Sequence, residues 1–198
     1  MAISSEAGDE AVNTNTKITS KFGIYLYLNY GTSFLSGSFC NNIDNLWYRG
    51  FGLGLRYRRF VLELNTSWVI GDVKEGKLTD LPLKYTDEII LKDCQVRLGY
   101  RLMKIKQIMI YTIAGFRAYD IDNTSFLDNN PNLSDGRKYG MTLCSRIVLS
   151  LDEIFKDLSI GPFYLIGEFY ISHWNLGSAM IGEGESYTFC LGLLFGSP

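Results

Sequence analysis

Residues 50–70 read GFGLGLRYRRFVLELNTSWVI. Phe51, Leu53, Leu55 and Tyr57 alternate with Gly50, Gly52, Gly54, Arg56 and Arg58. Beyond Arg59, the residues Phe60, Leu62, Leu64, Thr66, Trp68 and Ile70 alternate with Glu63, Asn65 and Ser67. A period of two belongs to a strand with one apolar and one polar face. The two runs abut at Arg58-Arg59, which leaves room only for a tight turn.

The same alternation recurs in both directions from this pair. Upstream, Phe22, Ile24, Leu26, Leu28 and Tyr30 oppose Lys21, Gly23, Tyr25, Tyr27 and Asn29. Downstream, Val96, Leu98, Tyr100 and Leu102 oppose Gln95, Arg97, Gly99 and Arg101, and a less regular run covers Ile108 to Tyr119. Tyr139, Met141, Leu143, Ile147 and Leu149 then oppose Lys138, Gly140, Thr142 and Arg146. Phe163, Leu165, Phe169 and Ile171 oppose Tyr164, Glu168 and Tyr170. Finally Tyr187, Phe189, Leu191, Leu193 and Phe195 oppose Ser186, Thr188, Cys190 and Gly192. The pattern predicts eight strands and no helix.

Connections alternate in length. Arg58-Arg59, Lys104 to Lys106 and Asp152 to Ile160 are short to moderate, whereas Thr32 to Trp47, Gly71 to Lys92, Asp120 to Arg137 and Ser172 to Glu185 are long and polar. An outer-membrane barrel has short periplasmic turns and long extracellular loops, and a soluble meander has no reason for the asymmetry.

Composition narrows the class. The chain has 198 residues, 46% of them apolar, too hydrophobic for disorder and of a size for one barrel domain. No run approaches the roughly 18 apolar residues of a spanning helix. Nineteen basic against 21 acidic residues leave no electrostatic footprint for nucleic acid. Twenty glycines, 13 tyrosines and 12 phenylalanines favour strands and turns. The expected organisation is a flexible polar segment over 1–20 and a barrel domain over 21–198. Met1 to Ser20 lack the apolar stretch of a signal peptide and read as the start of a mature chain whose export signal has been replaced by Met1.

Two orientations compete. A soluble, lipocalin-like barrel would turn its apolar face inward around an apolar ligand. A membrane barrel turns it outward. The apolar face ends in aromatics, with Tyr30, Trp68 and Tyr187 toward one rim and Tyr57, Phe60, Tyr100 and Phe195 toward the other, as interfacial girdles require. The polar face mixes glycines with Arg56, Arg97, Arg146, Glu63 and Glu168, which suits a narrow lumen filled by a shared ionic network. Arg56 and Glu63 flank the tight turn and are expected to belong to it together. These features favour an all-β, eight-stranded antiparallel up-and-down transmembrane β-barrel.

The run Tyr187-Thr188-Phe189-Cys190-Leu191-Gly192-Leu193-Leu194-Phe195, with the alternation before it, resembles eight-stranded outer-membrane proteins of the OmpA and OmpX kind. The resemblance covers Lys21 to Phe195, and Gly196-Ser197-Pro198 depart from a terminal aromatic. It implies a bacterial outer-membrane location, a non-enzymatic role and a porin-like architecture. The implied partners are outer-membrane lipid and lipopolysaccharide, the barrel-insertion machinery and proteins of the same membrane, with no nucleic acid.

The remaining motifs yield little chemistry. Some barrels of this size are lipid A deacylases, and His173 with Glu185 could supply a base and its carboxylate. The nucleophile position of that motif is Asn175, and neither Ser172 nor Ser178 matches it, so a rim histidine beside Trp174 at the lipid headgroups is the favoured reading. Asp120 to Ser125 resembles a calcium loop but lacks its glycine, and its twelfth position is Pro131. Tyr25, Tyr27, Tyr164 and Tyr170 could stack a ligand, and more often such tyrosines pack a lumen and bond its charges. Cys40, Cys94, Cys144 and Cys190 form no C-x-x-C pair, so neither a metal nor another cofactor is expected. A Cys40–Cys94 disulfide is open in an oxidising compartment, and thiols that are buried or face lipid are the favoured alternative.

Overall fold

The structure, a computed structural model, describes residues 21–37, 43–73, 88–121, 138–151, 162–175 and 183–198. The expected N-terminal segment, Cys40, Ser178 and the stretch from Asp122 to Arg137 lie outside them. The eight strands are β1 (Phe22–Leu35), β2 (Ile43–Tyr57), β3 (Phe60–Val73), β4 (Glu88–Ile105), β5 (Ile108–Ile121), β6 (Lys138–Ser150), β7 (Phe163–Asn175) and β8 (Glu183–Gly196). Each pairs antiparallel with its sequence neighbours, and β8 returns to β1, closing the barrel. Closure pairs the backbone groups that an open sheet would leave at its edges.

Two-residue turns join β2 to β3 and β4 to β5, with Arg58 (φ 58°) and Lys106 (φ 47°) in the left-handed region that tight hairpins demand. Tyr25 pairs with Gly54, Gly54 with Glu63, Glu63 with Arg97 and Arg97 with Gly115. The row continues through Thr142, Ser172 and Ser186 and re-enters β1 at Leu35, a stagger of ten residues. Such a stagger accompanies a strand tilt of about 40°. It also makes every paired row climb from the tight-turn end toward the other end in the order β1, β2, β3.

Alternation decides which side each residue faces. In β1, Phe22, Ile24, Leu26, Leu28 and Tyr30 are exposed, and Gly23, Tyr25, Tyr27 and Asn29 are buried. The less regular fifth run resolves the same way, with Phe116 outside and Met109, Tyr111, Ile113, Arg117 and Tyr119 inside. The apolar stripe therefore lies on the exterior, the opposite of a lipocalin-like cavity.

Several strands extend further than the alternation predicts. Thr32–Leu35 and Ile43–Trp47 continue the first hairpin, β3 reaches Val73, β4 starts at Glu88, β7 reaches Asn175 and β8 starts at Glu183. Asp72, Lys92, Asp120, His173 and Glu185 occupy outward positions in these extensions, so the apolar period fades while the ladder continues. Asp120, the first residue of the supposed calcium loop, is a strand residue.

Candidate functional site

The interior is organised by the glycines of β2. A Cβ on Gly52 would lie 2.1 Å from Cζ of Tyr27, and one on Gly54 2.1 Å from Cζ of Tyr25. Absence of a side chain at both lets the two rings lie across β2 and carry their hydroxyls to β3. There the Tyr25 hydroxyl donates to Glu63 Oε1 at 2.5 Å, and the Tyr27 hydroxyl reaches Oε2 at 3.4 Å.

Four buried charges, two of each sign, meet at this level. Glu63 pairs with Arg97 Nη2 at 2.6 Å and with both terminal nitrogens of Arg146, of which Nη2 lies 3.0 Å from Oε2. Arg146 also holds Glu168, through Nε and Nη2 at 2.6 Å each, and Arg97 approaches the same carboxylate at 3.9 Å. Phenols and amides complete the layer. Arg97 donates to Tyr170 at 2.8 Å and to Tyr27, and Glu168 accepts from Asn29 and Tyr170. Asn65 donates to the Tyr27 hydroxyl at 3.1 Å. Guanidiniums and carboxylates matched this way satisfy charges that would be prohibitive alone in a dry lumen.

Four of the five charges expected in the lumen thus converge. Arg56, expected beside Glu63, is not its register partner. Register sets Gly54 opposite Glu63 and Arg56 opposite Val61, so Arg56 stands half-buried one inward position nearer the turn. Of the four tyrosines considered as a stacking platform, Tyr25, Tyr27 and Tyr170 bind this layer, and Tyr164 packs half-buried against the core.

A second layer, toward the long-connection end, was not anticipated from the sequence. Arg117 of β5 pairs with Oδ2 of Asp93 of β4 at 2.7 Å, and Gln95 donates to the same oxygen at 2.7 Å. The Arg117 guanidinium lies 3.7 Å from the ring centroid of Trp174, and the indole N–H donates to Ser186 at 2.7 Å. Trp174 is therefore a lumen residue and not a headgroup anchor. Strand parity was the available signal, because Asp93 shares its phase with Arg97, and Arg117 with Gly115.

His173 and Glu185 are register partners and both face outward. The carboxylate of Glu185 accepts from the Tyr187 hydroxyl at 2.6 Å, and no ion pair joins it to the imidazole. Ser172 points inward, 3.0 Å from Thr142, away from both. Cys94 is exposed on the outer face, while Cys144 and Cys190 are buried free thiols in the lumen. Among the described residues no cluster of metal-ligating side chains occurs.

On the exterior, Leu26, Leu64, Leu98 and Leu191 form part of a continuous exposed apolar surface. Aromatic pairs mark its borders. Tyr30 stacks on Trp47 at 5.9 Å at one end, and Phe60 meets Tyr100 at 5.1 Å and Phe163 meets Phe195 at 4.9 Å at the other. Trp68 and Tyr187 are partly exposed at the first border, and Tyr57 is exposed at the second. A closed ladder with an apolar exterior and a packed, charge-paired interior defines a membrane-spanning β-barrel.

Among solved structures the chain is similar to Neisserial surface protein A (TM-score 0.48, 11% identity, covering 89% of this chain and 97% of that one). It is also similar to OprG from Pseudomonas aeruginosa (0.47, 12%, 89% and 95%) and to Ail of Yersinia pestis (0.40, 14%, 89% and 99%). No protein-family profile and no curated protein matches the sequence.

Proposed function

We propose that the chain is a non-enzymatic barrel of a bacterial outer membrane, closed to ions, that acts through its long connections or by binding proteins in the same membrane. One observation carries this reading: the apolar stripe is outside and a layer of paired charges crosses the inside. Exposed leucines around the circumference are stable in acyl chains and a liability in water. The Glu63–Arg97–Arg146–Glu168 layer, capped by tyrosines, occupies the place where a pore would run.

The protein should require detergent to stay monodisperse and should migrate differently on a gel before and after heating. Leu98→Arg should cost about 2–4 kcal/mol in a reversible unfolding titration in vesicles, because it places a charge on the lipid face. Planar bilayers should show little or no conductance. Stable large conductance steps would make the protein a small porin, and monodisperse behaviour without detergent would remove it from the membrane.

A further inference from the structure

Charge is divided unevenly between the two ends of the barrel. Residues 21, 56–59, 101–106 and 150–162, which belong to the tight-turn end, hold eight Lys or Arg and three Asp or Glu. Residues 32–49, 71–92, 120–138 and 172–185, which belong to the other end, hold seven and twelve. The two lumen layers cancel internally, three carboxylates against three guanidiniums. A chain with a net charge of −2 therefore presents a basic face on one side of the membrane. Residues 1–20, with three acids and one lysine, leave that end net positive.

Six of these cations share one sector. Arg58 and Arg59 form the β2–β3 turn, Lys104 and Lys106 lie at the β4–β5 turn, and all four are exposed. β3 pairs with β4, and the Arg101 N–H donates to the Arg59 carbonyl at 2.7 Å, so the two tips are held side by side. Arg56 and Arg101 stand half-buried on the lumen side of the same four strands. Arg58, Arg59, Arg101, Lys104 and Lys106 make no ion pair among the described residues. The contacts of the arginines are neutral. Arg58 lies 5.5 Å from the Tyr57 ring centroid, Arg59 donates to the Tyr100 hydroxyl at 3.5 Å, and Arg101 reaches the Met109 sulfur at 4.0 Å. Like charges gathered on neighbouring strands repel one another.

A polyanion relieves that repulsion, and the placement of the cations defines its kind. Lipid headgroups ring the outside of the wall, whereas Arg56 and Arg101 open toward the lumen mouth and the water beyond it. The partner is therefore water-soluble. The patch spans four strands, about 14 Å, which is too wide for one small oxyanion and equals roughly four or five residues of extended chain. Exposed Met103 and Ile105 alternate with Lys104 and Lys106. A phosphate polymer has no contact to offer them, and a polypeptide that alternates acidic and apolar side chains matches both.

We propose that the tight-turn face docks an extended acidic segment of a water-soluble protein, with carboxylates on Arg58, Arg59, Lys104 and Lys106 and one reaching Arg101 at the lumen mouth. The proposal rests on the outer-membrane reading, which puts this face in the periplasm, and adds a soluble partner to it. Charge supplies a fast, salt-sensitive encounter, and the interleaved apolar side chains supply the preference for polypeptide.

The test uses the full chain in phosphatidylcholine nanodiscs and a fluorescein-labelled peptide of about five Glu-Leu repeats, matched to the width of the patch. Anisotropy is read against empty nanodiscs. The wild type should bind the peptide, and binding should weaken as sodium chloride screens the charges. Two double variants, Arg58→Asn with Arg59→Gln and Lys104→Gln with Lys106→Asn, should each lower affinity about tenfold. Asparagine suits the positive φ of Arg58 and Lys106, so both turns keep their shape. Arg49→Gln, at the opposite end of β2, should leave binding unchanged. Heat-dependent gel migration checks folding of each variant. A wild type that enters no nanodisc and shows no heat-dependent migration overturns the membrane reading itself. A folded, inserted wild type that does not bind the peptide overturns this site alone. Undiminished binding by both double variants, or an equal loss in Arg49→Gln, does the same. Displacement of the peptide by equimolar inorganic pentaphosphate would make the face a phosphate site and overturn the polypeptide assignment.

Discussion

The two charged layers of the lumen use the same chemistry with different redundancy. In the layer nearer the tight turns, two carboxylates share two guanidiniums, and each carboxylate faces both. In the layer nearer the long connections, Arg117 has one carboxylate, Asp93, and the rest of its environment is the faces of Trp174 and Tyr119. The first layer is held by mutual neutralisation across the barrel, since Glu63 and Arg146 are 83 residues apart. The ion pair of the second joins neighbouring strands, and ring faces replace part of the missing charge pairing. The first layer therefore bolts opposite walls together, whereas the second braces one side of the mouth.

The largest expected effect is at the shared carboxylate. Glu63→Ala leaves Arg97 and Arg146 with only Glu168 and removes the acceptor of Tyr25, and it should destabilise the barrel by about 3–5 kcal/mol. Unfolding in urea from lipid vesicles measures this. Asp93→Ala should cost less, about 1–3 kcal/mol, because Arg117 keeps its place over the Trp174 ring. Equal costs would mean that the ring faces contribute nothing and that both layers depend on charge alone. Trp174→Leu in the Asp93→Ala background should then cost about 1–2 kcal/mol more than in the wild type, which a double-mutant cycle detects.

The difference between the layers also explains what could be read from the sequence. Glu63, Arg97, Arg146 and Glu168 lie in runs where apolar residues mark every second position, so their inward facing follows from parity. Asp93 follows Lys92 and precedes Cys94, a polar stretch that hides the strand beginning at Glu88. Arg117 lies between Phe116 and Ala118 in a strand whose inward side carries Met109, Tyr111 and Ile113, so apolarity there does not distinguish the faces. Pairing was less legible than facing. Glu63 has Arg56 as its nearest inward cation across the turn, yet the ten-residue stagger and the long arms of arginine bring it Arg146 from across the lumen. Trp174 is hard to place for a related reason: beside outward His173 it reads as a rim aromatic, and parity with Ser172 puts it inside.

The smallest effect tests whether the first layer owes its strength to charge or to packing. Asn65 belongs to that layer only as a neutral donor, to the Tyr27 hydroxyl at 3.1 Å and to the backbone oxygen of Phe51 at 3.2 Å. Asn65→Ser shortens the side chain and gives up both bonds while leaving all four charges in place. Its cost should be about 0.5–1.5 kcal/mol, the net worth of ordinary neutral hydrogen bonds. The urea dependence should keep its slope, because the surface exposed on unfolding is unchanged. A cost approaching that of Glu63→Ala would show that Tyr27, held over Gly52, positions Arg97, so that aromatic packing and not charge neutralisation sets the stability of the lumen.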